Sequence, residues 1–405
     1  MKILFISPWS ALDPLALSTV DPNLNQLAHD NRVSQIIYVS TEVEVESLFC
    51  QNTPSFKSSK ILHIPIKATR SYSLIGQIKS FIAFKAALID IYRSYCPSLV
   101  ICRGTTSQYG ALLKRKFGVE FVVESFEPHA NYMLQSGAWS RFNPKFIVQK
   151  LWEFQAKVYA SHLITVSYKF ADYLKNSRFV NPSKISTVPC WVDPQRYFIE
   201  SKLRRDIRTS LGITNQLIII YVGKFGGLYS PLSSLSIFSA LKRAMNRPLF
   251  FIVLTPQESR CIKTKLSELG LHSSEYYVSF ASYDSVNAYL NAADVAISFW
   301  SPGPWSFACS PIKHAEYWAC GLPLLMPYGI GDETDWLEDR ELGIFYDSNT
   351  YHFSQESVSR LKDILNEERG RSRIRNTTLN LRSKSILDKV YQDFLDYFVT
   401  QRHFL

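Results

Sequence analysis

Hydrophobic positions along the chain occur as short apolar runs separated by amphipathic stretches of helical period, such as 74–95 and 144–160. The apolar runs predict strands, which in the first half are 2–7, 34–39, 60–65, 98–102, 119–123, 162–166 and 184–188. The second half repeats the pattern at 217–223, 248–254, 276–280, 295–298, 323–326 and 343–346. Strands that alternate with helices predict parallel sheets covered by helices on both faces.

The segment VPCWVDPQRYF, residues 188–198, interrupts this pattern and suits a hinge. We therefore predict an α/β protein of two tandem Rossmann-like, doubly wound domains, residues 1–190 and 191–380. A C-terminal helix, 381–405, is expected to return to the first domain. Because such sheets bind ligands outside the carboxyl ends of their strands, we expect the site in a central cleft that the two domains face.

Length and composition favour a two-domain protein of ordinary globular type, with 405 residues of which 46% are hydrophobic. No apolar run approaches the ~20 residues that span a bilayer. The first apolar run ends at Pro8, which is too early for a secretory leader. The seven cysteines are odd in number and lack C-x-x-C spacing, which argues against a zinc site or a disulfide framework. We expect a cytoplasmic protein that can reach the inner face of the membrane.

The net charge of +10 is concentrated in the first half of the chain. Residues 1–198 contain 22 Lys and Arg against 13 Asp and Glu, whereas residues 199–405 contain 23 against 22. A basic half could meet nucleic acid, an anionic membrane or a phosphate-bearing substrate. Its bases are scattered apart from the run 114–116, and no nucleic-acid-binding motif is present, so we expect no nucleic acid partner.

Four segments of the second half resemble a known family. They are YVGKFGGLY (221–229), YLNAADVAISF (289–299), SPIKHAEYWACGLPLL (310–325) and GIGDETDWLEDRELGIFY (329–346). They resemble the nucleotide-sugar-binding half of the retaining GT-B glycosyltransferases, family 4 type (glycosyl transferases group 1). The hinge resembles the family's Pro-Asn-Gly-Val-Asp segment. The resemblance covers most of 160–350, and the block 310–325 is its most specific part.

A helix that starts near Ser310-Pro311 would explain Lys313 and Glu316. Proline suits the first helical position, and the free N–H groups and positive dipole end of a helix start bind anions. Lys313 in the first turn would add a cation for a bound diphosphate. The resemblance implies that Glu316 accepts hydrogen bonds from the ribose of the nucleotide. The alternative is a surface Lys313–Glu316 pair that contributes a few tenths of a kcal/mol.

Lys224 precedes a Phe-Gly-Gly turn, where the backbone can approach a phosphate closely. We interpret Lys224 and Lys313 as catalytic cations that stabilise the leaving diphosphate; the alternative for Lys224 is a solvated turn. Tyr229 stands where many relatives have a second lysine and could donate only a neutral hydrogen bond. By resemblance the donor-binding residues, with Glu316, are Gly223, Gly227, Tyr229, Tyr283, Ser310, Pro311, Gly331 and Asp332.

In the first half, two predicted strands are followed by polar residues that would face the cleft. Glu127 and His129 are candidate catalytic residues that hold the hydroxyls of the donor sugar or the acceptor. Arg103 and Gly104 are candidate acceptor-binding residues. The alternative for His129 is a purely structural histidine.

The sequence departs from the family at Ala308, where the resemblance implies a glutamate that contacts the transferred sugar. Trp300 and Trp305 lie nearby and could shape a different sugar pocket or simply pack. The expected activity is retaining transfer of a sugar from a nucleotide diphosphate sugar, UDP- or GDP-linked, to a hydroxyl of a glycan or lipid-linked saccharide, with no cofactor and no metal. The alternatives are a non-catalytic GT-B-like binding subunit of a glycan-assembly system and a sugar-nucleotide epimerase.

The segment 139–159 predicts a weak contact with anionic membranes through the N-terminal domain. Aromatic and basic side chains cluster at its start, namely Trp139, Phe142, Phe146, Arg141 and Lys145. Further along, apolar residues recur at helical spacing at 147, 151, 154 and 158. We interpret this second set as the face that packs on the domain core.

Overall fold

The computed structural model describes residues 1–42, 56, 58–67 and 74–402, which divide into two compact units. Unit 1 comprises Met1–Ala130, Arg141–Pro189 and Ser385–Leu405. Unit 2 comprises Asn131–Ser140 and Cys190–Lys384. Residues 403–405 of the expected C-terminal helix lie outside the described residues.

Unit 1 is built on a parallel sheet with the strand order β3-β2-β1-β4-β5-β6-β7. Its strands are β1 Lys2–Ile6, β2 Gln35–Glu42, β3 Ile61–Lys67, β4 Leu99–Arg103, β5 Phe121–Phe126, β6 His162–Thr165 and β7 Ile185–Thr187. Its helices are Pro14–Thr19, Asp21–His29, Leu74–Tyr95, Ser107–Phe117, Pro144–Tyr159, Tyr168–Lys175 and, from residue 385 onwards, Lys384–Arg402. The helix His129–Gln135 begins in unit 1 and ends in unit 2.

Unit 2 has a second parallel sheet, with the order β10-β9-β8-β11-β12-β13. Its strands are β8 Leu217–Val222, β9 Leu249–Leu254, β10 Tyr276–Ser279, β11 Val295–Ile297, β12 Leu324–Pro327 and β13 Gly343–Tyr346. Its helices are Ser201–Ser210, Ser236–Met245, Ser259–Glu268, Val286–Ala292, Ile312–Ala319, Glu333–Arg340, Gln355–Asn366 and Gly370–Leu381. The predicted α/β architecture with two parallel sheets is confirmed.

Buried apolar strands form the centre of each unit. In β4 and β9 every residue is buried, which is expected for a parallel sheet covered on both faces. In unit 1 a buried carboxylate, Glu124 at β5, pairs with Arg103 and accepts a hydrogen bond from Tyr391 of the last helix. This bond joins the C-terminal helix to the middle of the unit 1 sheet.

The helix Pro144–Tyr159 lies with the opposite face inward from the one we predicted. Its buried residues are Gln149, Glu153 and Ala156, whereas the apolar stripe expected to face the core is exposed. The reason is a buried polar contact. The Glu153 carboxylate accepts a hydrogen bond of 2.8 Å from the backbone N–H of Ala130 and one of 3.4 Å from the Gln149 amide.

Within the described part of the chain, no helix is long and apolar enough to cross a membrane.

Candidate functional site

The order of the unit 2 strands reverses between β8 and β11, which pair directly. Such a switch point is where doubly wound sheets bind ligands, outside the carboxyl ends of the strands. Gly223 and Lys224 directly follow β8, and the segment 298–301 directly follows β11. The topology therefore places the predicted Lys224 turn and the aromatic segment around Trp300 beside each other.

The turn after β8 is held in place by side chains behind it. The buried Tyr221 hydroxyl donates to the Lys224 carbonyl. Gln257 accepts from the Phe225 N–H at 2.7 Å and donates to the Phe225 carbonyl at 3.3 Å. Gly226 and Gly227 have backbone φ values of +86° and +69°, which residues other than glycine rarely adopt. The turn therefore has a defined backbone, while the Lys224 side chain is exposed.

Residues 228–230 then return along the end of β11. Ser230 N–H donates to the Phe299 carbonyl at 2.6 Å, and Ser301 N–H donates to the Leu228 carbonyl at 2.9 Å. The rings of Tyr229 and Trp300 meet edge to face with centroids 5.4 Å apart. Among the described residues, the buried indole N–H of Trp300 has no hydrogen-bond acceptor. The pairing fixes Tyr229 and leaves an indole donor that a ligand oxygen could use.

The helix Ile312–Ala319 begins one residue later than predicted. Pro311 is its cap residue, in an extended conformation, and not its first helical residue. No side chain caps this helix start, so its first N–H groups and positive dipole end remain suited to an anion. The Tyr317 hydroxyl accepts from Val222 N–H at 3.0 Å and lies 3.2 Å from the Val222 carbonyl, which ties the helix to the end of β8.

Lys313 points from this helix toward the turn after β8. Its ammonium lies 4.9 Å from the centroid of the Tyr229 ring, a cation–π contact. A β-carbon at position 223 would lie 2.5 Å from the Lys313 Nζ atom. Only glycine therefore fits at position 223 with the lysine in this place. Lys313, Gly223 and Tyr229 are brought together, and Lys224 is the next residue along the same turn.

Glu316 is buried, so the alternative of a surface Lys313–Glu316 pair is wrong. Burial raises the pKa of Glu316, while a hydrogen bond from Tyr197 and the charges of Lys313 and Arg196 partly offset this rise. The carboxylate is thus held inside unit 2 by a tyrosine, with two cations near it. An acceptor of this kind suits a hydroxyl pair such as that of a ribose.

Tyr283 belongs to the same cluster. The Arg196 guanidinium carbon lies 3.7 Å from the centroid of the Tyr283 ring, and Arg196 also pairs with Asp284. The ionised forms of Glu316 and Tyr283 both raise the pKa of Tyr197 further above the value that burial gives it. Arg196 and Tyr197 were not predicted as site residues. They lie in the hinge segment 188–198, and no pattern in that segment indicates that they contact residues of the later helix.

Ser310 and Gly331 are packed within the protein around a buried arginine. The Ser310 hydroxyl oxygen accepts from Cys190 N–H at 3.2 Å and from the guanidinium of Arg382. Arg382 in turn pairs with Glu333. Gly331 donates to the Ser306 carbonyl at 2.9 Å, and a β-carbon there would lie 2.3 Å from the Cys309 carbonyl oxygen.

These contacts give Ser310 and Gly331 roles inside the fold, and nothing in the sequence pointed to Arg382. Asp332 is buried at the start of the helix Glu333–Arg340. It therefore lies beside the same packed segment.

His314 is buried one residue after Lys313. Burial lowers its pKa well below the usual value, and the charges of Arg382 and Lys313 lower it further. A ring nitrogen lies 2.7 Å from the Ser298 hydroxyl at the end of β11. The hydrogen bond of His314 joins the site helix to the strand end.

The loop between β11 and the site helix is anchored by Gln135 of unit 2. Its amide oxygen accepts from Trp305 N–H at 3.1 Å, and its amide nitrogen donates to the Ser306 hydroxyl at 3.1 Å. Gly303 allows this approach, since a β-carbon there would lie 2.1 Å from the Gln135 side chain. Ala308 is fully buried in the turn Ser306–Ala308. The position where the family resemblance implies a glutamate thus presents no polar side chain.

The candidate residues of unit 1 lie at the carboxyl ends of β4 and β5. Arg103 forms a buried ion pair of 3.0 Å with Glu124, and Gly104 follows it with a φ of +52°. Glu127 and His129 follow β5, and burial lowers the pKa of His129. The described residues contain no group of three His, Cys, Asp or Glu side chains that could hold a metal ion.

No family model and no curated protein matches this sequence, but many solved structures share its fold. A sucrose-phosphate synthase from Thermosynechococcus elongatus is 15% identical, with a TM-score of 0.71, covering 99% of this chain and 100% of that chain. Anabaena HepE, solved in complex with UDP-glucose, is 14% identical, with a TM-score of 0.66 and coverage of 99% and 100%.

A third match is described as a putative UDP-N-acetylglucosamine 2-epimerase, from Listeria monocytogenes. It is 13% identical, with a TM-score of 0.57, covering 93% of this chain and 90% of that chain. The two parallel sheets and the full-length matches to glycosyltransferase structures confirm the predicted GT-B fold.

Proposed function

We propose that this protein is a glycosyltransferase that moves a sugar from a nucleotide diphosphate sugar to a hydroxyl acceptor with retention of configuration. The observation that carries the proposal is the cluster in unit 2. An uncapped helix start, the Lys313 ammonium and the Gly223–Lys224 turn meet at the switch point of the sheet, and a buried carboxylate lies one turn further along the helix. This combination suits a diphosphate joined to a ribose.

The proposed chemistry needs no nucleophile from the protein. The bond between the anomeric carbon and the diphosphate oxygen breaks as Lys224, Lys313 and the helix N–H groups stabilise the departing charge. The acceptor oxygen bonds to the anomeric carbon on the same face, and its proton passes to a diphosphate oxygen. Glu127 and His129 are proposed to hold hydroxyls of the sugar or acceptor, and Arg103 and Gly104 to support the acceptor. The proposed acceptor is a glycan or a lipid-linked saccharide.

The donor is testable by calorimetry with UDP and GDP, followed by an assay for hydrolysis of the matching sugar nucleotides. We expect one nucleotide to bind without added metal, and we place UDP first because HepE was solved with UDP-glucose. Binding of neither nucleotide would contradict the proposed donor site.

A second function is favoured by one observation. Ala308 is buried and has no group for the transferred sugar, which suits a non-catalytic GT-B-like subunit that binds a nucleotide or partner. Nucleotide binding without hydrolysis or transfer of any donor sugar would favour this alternative. Turnover of a donor would exclude it.

Glu316→Gln should separate nucleotide binding from stability. Losing a charge-assisted hydrogen bond to ribose should weaken nucleotide binding by on the order of tenfold. Burial raises the pKa of Glu316 because it favours the protonated carboxyl over the carboxylate. The contribution of Glu316 to folding stability is therefore present at acid pH and is lost as the pH rises through the raised pKa. The glutamine variant, which cannot ionise, should therefore unfold at the same or a higher temperature than the wild type at neutral pH.

Titration calorimetry and thermal melting measure the two effects of Glu316→Gln side by side. Exposed Glu258→Gln, on the same unit, is the matched control and should change neither quantity. An unchanged nucleotide dissociation constant for Glu316→Gln would show that the carboxylate does not contact the ligand.

A further inference from the structure

Lys313 occupies an electrostatically unfavourable place for a cation. It is the second residue of the helix Ile312–Ala319, where the positive end of the helix dipole repels an ammonium. The first turn contains no acidic residue, and the Glu316 carboxylate in the next turn accepts a hydrogen bond from Tyr197. A lysine side chain is long, flexible and strongly hydrated at its ammonium. It would therefore turn to solvent here unless another group held it.

The ring of Tyr229 is the group that holds the ammonium. The Lys313 Nζ atom lies 4.9 Å from the ring centroid, and the negative face of an aromatic ring attracts a cation at this distance. Gly223 leaves the space, since a β-carbon there would lie 2.5 Å from the same Nζ atom. Tyr229 carries no positive charge of its own for a bound anion, so the contribution of its ring passes through this lysine.

The Tyr229 ring is itself held in place. Tyr229 and Trp300 form an isolated antiparallel bridge, with backbone hydrogen bonds on both sides of it. The two rings meet edge to face with centroids 5.4 Å apart, and Trp300 is only 8% exposed. A buried indole has little freedom to move in a close-packed interior, so the ring against it has a defined position. The contacts therefore run from the buried Trp300 through Tyr229 to the Lys313 ammonium.

We infer that Tyr229 is a positioning residue for Lys313: its ring, held by Trp300, fixes the ammonium at the helix start before a diphosphate arrives. A cation placed in advance stabilises the developing charge without reorganising during the reaction. The inference rests on the proposed transferase function, because it assigns the ammonium to the departing diphosphate. It gives the role to the ring of Tyr229, whereas the sequence pointed to the hydroxyl.

Two replacements of Tyr229 separate the ring from the hydroxyl. Tyr229→Leu removes the ring and should lower kcat by about 3- to 30-fold, the range of one cation–π contact, with little change in KM for the donor. The loss should be smaller than that of Lys313→Ala, since the lysine remains. Tyr229→Phe keeps the ring without the hydroxyl and should retain kcat within about twofold of the wild type. Both are measured with saturating donor.

A double-mutant cycle tests whether Tyr229 acts through Lys313. If the ring serves to hold the ammonium, Tyr229→Leu has nothing left to disturb once the lysine is gone. Tyr229→Leu/Lys313→Ala should therefore have the kcat of Lys313→Ala alone, whereas independent contributions would multiply. A ring that only supported the fold would lower kcat further in the Lys313→Ala background.

A third measurement needs neither nucleotide nor turnover. Reductive methylation with isotope-labelled formaldehyde labels lysine side chains for NMR and keeps their charge, and Lys313→Ala identifies the Lys313 signal. The ring current of residue 229 should move this signal upfield from those of exposed lysines in the wild type and in Tyr229→Phe. The displacement should vanish in Tyr229→Leu. Failure of the proposed function, with no nucleotide bound and no sugar transferred, leaves this readout intact.

Tyr289→Leu is the matched control. It removes a ring from another aromatic pair of unit 2, in which Tyr277 and Tyr289 stack with centroids 6.0 Å apart. It should change neither kcat nor the Lys313 signal, and thermal melting confirms that every variant is folded.

Four results would each overturn the inference. They are wild-type kcat in Tyr229→Leu, an equal loss in Tyr229→Phe, a further loss in the double variant, and a Lys313 signal that Tyr229→Leu does not move. If the wild type transfers no sugar, the Lys313 signal alone decides whether Tyr229 positions the ammonium.

Discussion

Lys313→Ala is expected to lower kcat/KM for sugar transfer by about 30- to 1,000-fold, or ~2–4 kcal/mol. Lys313 lies beside Gly223 and over the Tyr229 ring, at the uncapped start of its helix. If a diphosphate binds there, its negative charge grows as the sugar departs, so the ammonium contributes more to the transition state than to the bound donor. The loss should therefore appear mainly in kcat, measured with saturating donor.

The same assay tests Lys224→Ala, for which we expect a loss of similar size. The matched control is Lys263→Ala, which removes an exposed lysine of unit 2 from the helix Ser259–Glu268 and should leave kcat unchanged. Circular dichroism and nucleotide affinity confirm that each variant is folded. Wild-type turnover in both Lys224→Ala and Lys313→Ala would remove the proposed phosphate site.

The strands of both sheets could be predicted from the sequence because each is a short apolar run. In a parallel sheet covered on both faces, such runs need no alternation and stand out against the helices. The prediction ended β5 at residue 123, whereas the strand continues to Phe126. The extension contains Glu124 and Ser125, and polar residues are not expected in a buried strand. Glu124 is accommodated there by Arg103 and Tyr391, which are distant in sequence.

The helix Pro144–Tyr159 shows what periodicity leaves open. Its apolar spacing was identified correctly, but spacing gives a stripe and not the side on which the core lies. The inward face is instead decided by Glu153, whose carboxylate accepts from the Ala130 N–H and from the Gln149 amide. A buried N–H without an acceptor would cost about 1–3 kcal/mol, and no local pattern in the sequence reports such a contact.

At the candidate site, Lys313 and Glu316 could be predicted because both lie in one short helix with a recognisable start. Tyr197, the hydrogen-bond partner of Glu316, could not be predicted, since it is far from that helix along the chain and reaches it only through the fold. The same holds for Arg382, which contacts Ser310 just before the helix. From the sequence alone, Tyr197 would be interpreted as an ordinary core tyrosine. Arg382 follows the end of a basic helix, where an exposed arginine is the usual expectation.

Arg382→Met is expected to lower the free energy of unfolding by about 3–5 kcal/mol. Arg382 and Glu333 are 0% and 1% exposed and form an ion pair. The guanidinium also donates to the Cys190 carbonyl at 2.8 Å and to Ser310. Methionine fills similar space but leaves the Glu333 carboxylate buried without its cation. Urea unfolding followed by circular dichroism measures the loss.

The double variant Arg382→Met/Glu333→Leu should recover much of the stability, because it removes the charge that the single change leaves in the interior. Lys202→Met is the control, since it breaks the exposed Lys202–Asp206 pair on the helix Ser201–Ser210 and should cost less than about 1 kcal/mol. An Arg382→Met variant no less stable than Lys202→Met would show that the pair does not hold this part of unit 2 together. If the single change is costly and the double change is not, the cost arises from the unpaired charge, and the network around Ser310 depends on Arg382 through electrostatics more than through packing.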